Sequence, residues 1–354
     1  MAEFDSSSEN EFNCENAEDV SYFNLDSIPD CLLERARDLR ALQLNNNEFT
    51  TVPDSVGLFT KLVSLDISYN SVKLISDSIT QLKSLRTLIA KNNLLTSESI
   101  PKDFGLLKSL EVVNFSCNSL ESLPPQFTEL HKLRCLYLGG NLLTSITSAV
   151  KHLTRLEVLY LGGNQLSEIP AEVGYLHRLT SLVLCDNQLQ SLPPTLINLR
   201  HLKSLNLHNN QLSTLPPEIV ALNLIELSLR NNPLVVRFVE DLVYIPPTLL
   251  ELAGRCMKIN RVKYSTLDLP VNLVQYLQSA QRCVNPKCKG VYFTSRIEHV
   301  KFVDFCGKYR LPLMQYLCSP KCTSSLPTVT SSASDSETDE EDGARERMRR
   351  VLLG

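Results

Sequence analysis

No stretch of the chain approaches eighteen consecutive apolar residues, and its first residues, MAEFDSSSENEF, carry neither a basic region nor an apolar core. A membrane-spanning helix is therefore not expected, nor a secretory leader. A large excess of either charge is missing as well: 35 lysines and arginines against 39 aspartates and glutamates leave a net charge of −4, which gives nucleic-acid binding no support. Disulfide-framework spacing is missing too. The eleven cysteines are an odd number, and five of them (Cys283, Cys288, Cys306, Cys318 and Cys322) fall within forty residues. Cys14, Cys31, Cys117, Cys135, Cys185 and Cys256 read as reduced thiols, mostly small core hydrophobes. No C-x-x-C pair occurs, which disfavours a redox site. The expected setting is intracellular, in the cytoplasm, with the nucleus as an additional location.

What the chain does have is leucine at a fixed period. The pattern L-x-x-L-x-L-x-x-N-x-L begins nine times, at Leu39, Leu62, Leu85, Leu110, Leu133, Leu156, Leu179, Leu202 and Leu224. The spacing is 23 residues apart from one of 25 and a last one of 22, and five units continue to a Leu-Pro or Ile-Pro step. One unit cannot bury its own leucine face, so units stack and their L-x-L segments form a parallel sheet. The expected class is α/β: a leucine-rich-repeat solenoid of nine repeats with its sheet on the concave face. Asn47, Asn70, Asn93, Asn118, Asn141, Asn164, Asn187, Asn210 and Asn232 should form a buried ladder, bonded to backbone groups of adjacent turns.

Function then falls to the positions that vary around this frame. Strand side chains alternate, so the residue between the last two leucines faces the concave side. In order these are Gln43, Asp66, Ile89, Asn114, Tyr137, Tyr160, Val183, Asn206 and Ser228. Two adjacent tyrosines, each followed by Gly-Gly (Gly139 and Gly140, Gly162 and Gly163), suggest a shallow trough beside an aromatic pair. The candidate substrate-binding set is Tyr137, Tyr160, Val183, Asp186, Asn206, His208 and Arg230, suited to a peptide or protein. Covering the sheet is the alternative role for the tyrosines. No serine, cysteine or acid is placed by the pattern to act as a nucleophile with His208, so no catalytic residue is expected.

After the array, Val235, Val236, Phe238, Val239 and Leu242 suit a capping helix, and Pro246 and Pro247 then break the chain. Thr248 can cap a helix beginning at Leu249. At 100° per residue, Leu249, Leu250, Leu252, Ala253, Cys256, Met257 and Ile259 cover about half its circumference, opposite Glu251, Arg255 and Lys258. That apolar arc is wider than repeat capping requires. Further on, Pro270 suits the first turn of a second helix whose Leu273, Tyr276 and Leu277 share a face.

These residues resemble the SOCS-box family. Thr248, Leu249, Leu252, Ala253 and Met257 stand at positions of its elongin-binding box, with alanine in place of the usual cysteine. LDLPVNLVQYL resembles its cullin box through Leu267, Leu269, Pro270, Leu273, Tyr276 and Leu277. The resemblance implies a non-catalytic substrate receptor of a ubiquitin ligase. Elongin C and elongin B would bind through Thr248, Leu249, Leu252, Ala253, Cys256 and Met257, and the six cullin-box positions would meet a cullin with its RING partner. Asp268 replaces the box's first proline, leaving cullin-5 and cullin-2 both open. The competing expectation is an intracellular signalling scaffold in which these helices extend the cap.

Cys283 and Cys288 stand five apart and Cys318 and Cys322 four apart, two close pairs that suggest a four-thiolate structural Zn2+ site in a small zinc-ribbon-like module. Cys306 and His299 are alternative ligands. Between the pairs the residues alternate as short strands around a Gly-Lys-Tyr turn. The expected division is an acidic disordered arm (1–24), an N-terminal cap (25–38), repeats with their C-terminal cap (39–245), and box helices (246–279). A cysteine-rich module (280–322), a disordered Ser/acidic linker (323–343) and a basic, potentially helical segment (344–354) complete it. Ser334, Ser336 and Thr338 precede acids, a setting that suits acid-directed kinases.

Overall fold

Leucine periodicity becomes a sheet in the computed structural model, which describes residues 16–234, 246–285, 288–305, 309–322 and 350–352. The chain divides into two compact units. The first comprises Met1–Gln211, Ala221–Asn232 and Arg349–Gly354, and the second Leu212–Val220 and Pro233–Met348.

In the first unit, each of the nine repeats contributes one three-residue strand, from Ala41–Gln43 to Glu226–Ser228, to a parallel sheet in sequence order. Leu42 pairs with Leu65, Leu136 with Leu159 and Leu182 with Leu205, so the buried leucines stack without slip. Ala17–Asp19 adds a strand beside Ala41–Gln43, so the described part, 16–24, of the disordered arm expected over 1–24 is ordered there, while 1–15 lie outside the described residues. Helix α1, Asp30–Glu34, buries Leu32 in the N-terminal cap. At the other edge Arg350–Leu352 pairs in parallel with Glu226–Ser228. The expected helix at the C-terminus is instead a strand at these positions, because an open sheet edge offers a β-segment a full row of partners.

Opposite the sheet the repeats return through 3-10 turns, one in each of the first eight repeats except the 25-residue one, which has two, Ser97–Ser99 and Lys102–Leu106. Pro53, Pro101, Pro124, Pro170 and Pro193 precede five of them, while Ser76 and Thr147 accept the amides of Ser78 and Ala149 at two others. Pre-set proline dihedrals and short polar caps suit one tight turn better than a long helix. At the 25-residue repeat and its successor Phe104, Phe115 and Phe127 are fully buried, with ring centroids 5.4 to 6.3 Å apart.

Between strand and return lies the asparagine ladder. Asn164 Nδ2 donates to the carbonyls of Leu138 and Leu161 at 3.0 and 2.9 Å, and its Oδ1 accepts from the Leu143 amide at 3.0 Å. Asn141, Asn187 and Asn210 repeat this pattern one turn away each. The residue before each ladder asparagine is left-handed: Asn46, Tyr69, Asn92, Cys117, Gly140, Gly163, Asp186, Asn209 and Asn231 all have φ between 53° and 70°. Glycine, asparagine and aspartate take this conformation at least cost, and they fill seven of the nine positions.

The second unit holds two helices and a hairpin. Ile297–Phe305 and Tyr309–Leu317 form one antiparallel ladder of nine pairs, longer than the short strands expected from the sequence. Leu215 joins this unit through backbone bonds: its amide donates to Pro312 O at 2.9 Å and its carbonyl accepts from Met314 N at 2.8 Å. Helix α2, Leu249–Ile259, starts at Thr248, whose hydroxyl accepts the Glu251 amide at 3.2 Å. Helix α3, Val271–Gln278, begins after Pro270 and buries Val274 and Leu277.

Helix α2 packs the opposite way from its apolar pattern. Its buried edge carries Glu251, 1% exposed, and Gly254, where an added Cβ would lie 3.0 Å from the Phe293 ring and 3.4 Å from Leu277. Glu251 accepts the amides of Phe293 at 3.2 Å and Ser295 at 2.8 Å and the Thr294 hydroxyl at 3.0 Å. Arg255 pairs with Glu251 at 2.6 Å and reaches the carbonyls of Cys318, at 2.7 Å, and Ser295. Every charge is thus answered by a hydrogen bond, the condition under which burying an ion pair is tolerated.

Burial opposes ionisation of Glu251, but Arg255, the Ser295 and Phe293 amides and the Thr294 hydroxyl outweigh it and hold the carboxyl below its usual range. A depressed carboxyl contributes stability above its unfolded value, about 4.3, and loses it as the pH falls through the lower folded value. Glu251→Gln should therefore cost about 3 kcal/mol at neutral pH by leaving Arg255 buried without its counter-charge. Urea denaturation of the two proteins at a series of pH values should show this gap closing below about pH 4. A gap that is flat with pH would assign the loss to shape rather than charge.

Candidate functional site

Two surfaces carry the candidate residues, one on each unit. On the first unit the concave sheet positions meet around the glycine pairs. Gly140 and Gly163 serve the left-handed turn, whereas Gly139 makes room: a Cβ there would fall 2.2 Å from Cε1 of Tyr160. The Tyr137 and Tyr160 rings stand 6.4 Å apart and inclined by 39°. With Lys91, Asn114, Val183 and Asp186 they line a trough of about 570 Å³. Burial pushes the Tyr137 phenol up to about 12, helped by the Cys135 thiol, and raises Tyr160 as well. Both are neutral hydroxyls at physiological pH, able to donate as well as stack.

Downstream the polar residues form a chain of bonds. His208 Nδ1 lies 2.6 Å from Asn206 Oδ1, and its Nε2 lies 3.5 Å from Asp186 Oδ2. Asn209 donates to the other Asp186 oxygen at 2.5 Å and accepts from Asn231. Burial works against the Asp186 carboxylate, but bonds from Asn209 and Cys185, together with His208, hold it below its ordinary range. Of the residues expected here, Tyr137, Tyr160, Val183 and Asp186 share the trough, and Asn206 and His208 adjoin it through Asp186. Arg230 is exposed and is not among the trough residues. Cys185 belongs beside them but was absent from the sequence-derived set: its Sγ lies within 4.8 Å of the Asp186 and His208 ligand atoms. Its signal was its position, one repeat before His208 in the same register.

On the second unit, Leu249 is 85% exposed, and Leu250, Leu252 and Ile259 are each about half exposed. Ala253 and Cys256 are exposed beside them and Met257 is half-buried. All the elongin-box residues, the exposed capping Thr248 included, therefore lie off the edge that α2 buries. The cullin-box residues divide. Leu267 is 96% exposed at a turn that Asp268 ties, its Oδ2 accepting the Ser265 amide and hydroxyl at 2.9 and 2.8 Å. Pro270 is exposed and Leu269 and Leu273 are half-buried. Tyr276 stacks on Phe293 at 4.4 Å and Leu277 is 3% exposed, so these two serve the packing of α3.

Cys283, Cys288, Cys318 and Cys322 converge so that their sulfurs all lie within 4.8 Å of one another. Cys318 Sγ lies 3.5 Å from Cys288 Sγ and 3.6 Å from Cys322 Sγ. Disulfide sulfurs are about 2.05 Å apart, whereas a tetrahedron with metal–sulfur bonds of about 2.3 Å has edges of about 3.8 Å. The amides of Gly290 and Cys318 point at Cys288 and Cys283 sulfurs, and burial raises the Cys283 and Cys318 thiols. Cys322 runs the other way: burial resists, but the Ser319 hydroxyl and neighbouring thiols lower it. The donor set fits a tetrahedral metal. Gly290 is needed here without any sequence motif announcing it, since a Cβ would meet Cys318 Sγ at 2.5 Å. His299 lies on the hairpin opposite Gln315 and is not part of the cluster. Cys306, the expected capping helix at 235–242 and the acidic serine-rich segment lie outside the described residues. Among the described residues no helix is long and apolar enough to cross a membrane.

Comparison with known proteins agrees with this architecture. The family model "Leucine rich repeat" matches residues 21–95, 108–166 and 177–234. A leucine-rich-repeat protein of Leptospira interrogans has a TM-score of 0.58 at 33% identity, covering 62% of this chain and 61% of that one. The Arabidopsis receptor kinase HAESA, solved with the peptide hormone IDA and a co-receptor, has a TM-score of 0.54 at 28% identity, over 62% of this chain and 43% of its own. Both likenesses concern a fold typically used for protein–protein interaction. Relatives named leucine-rich repeat-containing protein 58 are 51% identical in Xenopus tropicalis and 56% in Xenopus laevis, each over 90% of this chain and 91% of theirs. Identity at that level across both repeats and cysteine module shows that the chain belongs to the leucine-rich repeat-containing protein 58 family.

Proposed function

We propose that the chain is the substrate-recognition subunit of a cullin-RING ubiquitin ligase, holding a protein on its concave repeat face and binding elongin C, with elongin B, through α2. The ligase supplies the chemistry; this chain contributes binding and position, in the cytoplasm or nucleus. The outcome for the bound protein is ubiquitination and degradation. Cullin-5 or cullin-2 would engage the stretch from Leu267 to Leu273.

The observation that carries this reading is the orientation of α2. A helix that buries Glu251 and Arg255 while leaving Leu249 in water and Leu250, Leu252 and Ile259 half exposed forgoes much of what burial would return. Full side-chain burial is worth about 1.5–3 kcal/mol, of which most is forgone at Leu249 and about half at each of the others. A partner helix groove would recover it. The aromatic trough suits a peptide segment of the substrate, since stacked tyrosines offer large rigid contact area at small entropic cost. The four-cysteine cluster is assigned a structural zinc ion, held by Cys283, Cys288, Cys318 and Cys322, which closes a core too small to hold itself.

Leu249→Ala with Leu252→Ala should abolish co-purification of elongin B and elongin C from cells. Both side chains are exposed, so the fold should lose less than about 0.5 kcal/mol for each, and an unchanged melting temperature separates lost binding from misfolding. Elongin retained at wild-type levels by the double variant would overturn the ligase assignment and favour a signalling scaffold. For the zinc ion, metal analysis of the purified chain should lose one equivalent on Cys318→Ser, with the second unit becoming protease-sensitive. Chelator treatment of the wild type should produce the same sensitivity, because binding free energy at such sites is folding free energy.

A further inference from the structure

We propose a second metal site, on the concave face, in which Cys185 Sγ, Asp186 Oδ2 and His208 Nε2 hold a divalent transition metal of the zinc class and leave its fourth position open.

Repeat geometry creates the site. Cys185 and His208 occupy the same register position in consecutive repeats, directly after Leu184 and Leu207, and their neighbouring strands are hydrogen-bonded in parallel. That stacking brings the Cys185 sulfur, an Asp186 carboxylate oxygen and a His208 ring nitrogen within 4.8 Å of one another, the carboxylate being supplied by the αL residue directly after Cys185, Asp186 with φ 53°. The equivalent positions in the other seven repeats hold Asn45, Ser68, Lys91, Ser116, Gly139, Gly162 and Arg230, so among the described residues this frame gathers thiol, carboxylate and imidazole together here.

The remaining atoms of the two polar ligands are already engaged. Asn206 Oδ1 takes His208 Nδ1 at 2.6 Å, a bond that fixes the proton on Nδ1 and leaves the Nε2 lone pair facing Asp186. Asn209 Nδ2 takes Asp186 Oδ1 at 2.5 Å, leaving Oδ2 directed to the imidazole. The Nε2–Oδ2 separation of 3.5 Å is close to the edge of about 3.4 Å for a tetrahedral zinc with bonds of about 2.0–2.1 Å. Gly162 leaves space around the thiol, since a Cβ there would come within 2.7 Å of Cys185 Sγ. The sulfur can therefore swing to the ion, losing its proton to solvent as it binds.

One thiolate, one carboxylate and one imidazole make a mixed set of three, the composition of open rather than closed sites. Asp186 lines the trough with Tyr160, so the fourth position is accessible from it. Water fills that position in the free protein, and an imidazole, thiolate or carboxylate of a bound partner can replace it. This last step rests on the trough being a protein-binding surface; the metal site does not.

The test compares zinc content of the full-length chain and its variants after equilibration with zinc sulfate and removal of unbound metal. His208→Ala and Cys185→Ser should each hold one equivalent less than the wild type, with circular dichroism unchanged because His208 is only half-buried and serine replaces the buried Cys185 with a side chain of nearly the same size. Cobalt(II) loading of the wild type should show a thiolate-to-cobalt charge-transfer band in excess of that from the four-cysteine cluster, and this excess should vanish in Cys185→Ser. Equal zinc content in the wild type and His208→Ala, or loss in Cys185→Ser alone, would overturn the proposal. The four cysteines of the second unit are intact in every variant, so the difference reads the concave site whether or not that cluster holds zinc.

Discussion

A left-handed residue must precede every ladder asparagine, and much of the first unit follows from that requirement. The asparagine amide can reach carbonyls of its own turn and of the turn before only if the chain reverses sharply there. Where the residue is Asn46, Asn92 or Asp186, a short polar side chain tolerates the conformation; where it is Gly140 or Gly163, the missing Cβ does. Tyr69 and Cys117 adopt it without either advantage, and the satisfied ladder on both sides is what offsets the strain. The trough is a by-product: turns using glycine flatten the surface beside Tyr137 and Tyr160.

Much of this was legible in the sequence because a repeat states its rule nine times. Period, register and ladder all follow from the positions of leucine and asparagine, and each strand forms where the pattern puts it. The Gly-Gly pairs were legible as a trough, though their two glycines do different work, one for backbone and one for space. Edge strands were not legible. Ala17–Asp19 and Arg350–Leu352 carry no repeat signature, and they pair because the terminal strands of an open sheet expose unpaired amides and carbonyls to any extended segment.

Helix α2 shows the limit of periodicity more sharply. Its pattern identifies which residues share a face but assumes that the apolar face goes inward. Here the inward face is polar, because Phe293, Thr294 and Ser295 present two amides and a hydroxyl at one point, and Glu251 satisfies all three. Those donors lie more than forty residues away, and no local rule connects them to position 251. The four cysteines were the opposite case, since pair spacing alone indicated a cluster and the fold brings all four together.

The clamp and the cluster are physically one arrangement. Arg255 donates to the carbonyl of Cys318, a member of the cluster, and to that of Ser295, while Glu251 accepts the amide of the same serine. Positions of Cys318 and Ser295 thus determine whether the helix has its polar partners. If the sulfur cluster opens, the carbonyl at Cys318 moves, and Arg255 loses a bond at a place where water cannot readily replace it. The polar edge of α2 would then have less reason to face inward, and its leucines would compete for the interior. Exposure of the apolar face is therefore conditional: it depends on four sulfurs holding the segment that Glu251 and Arg255 grip.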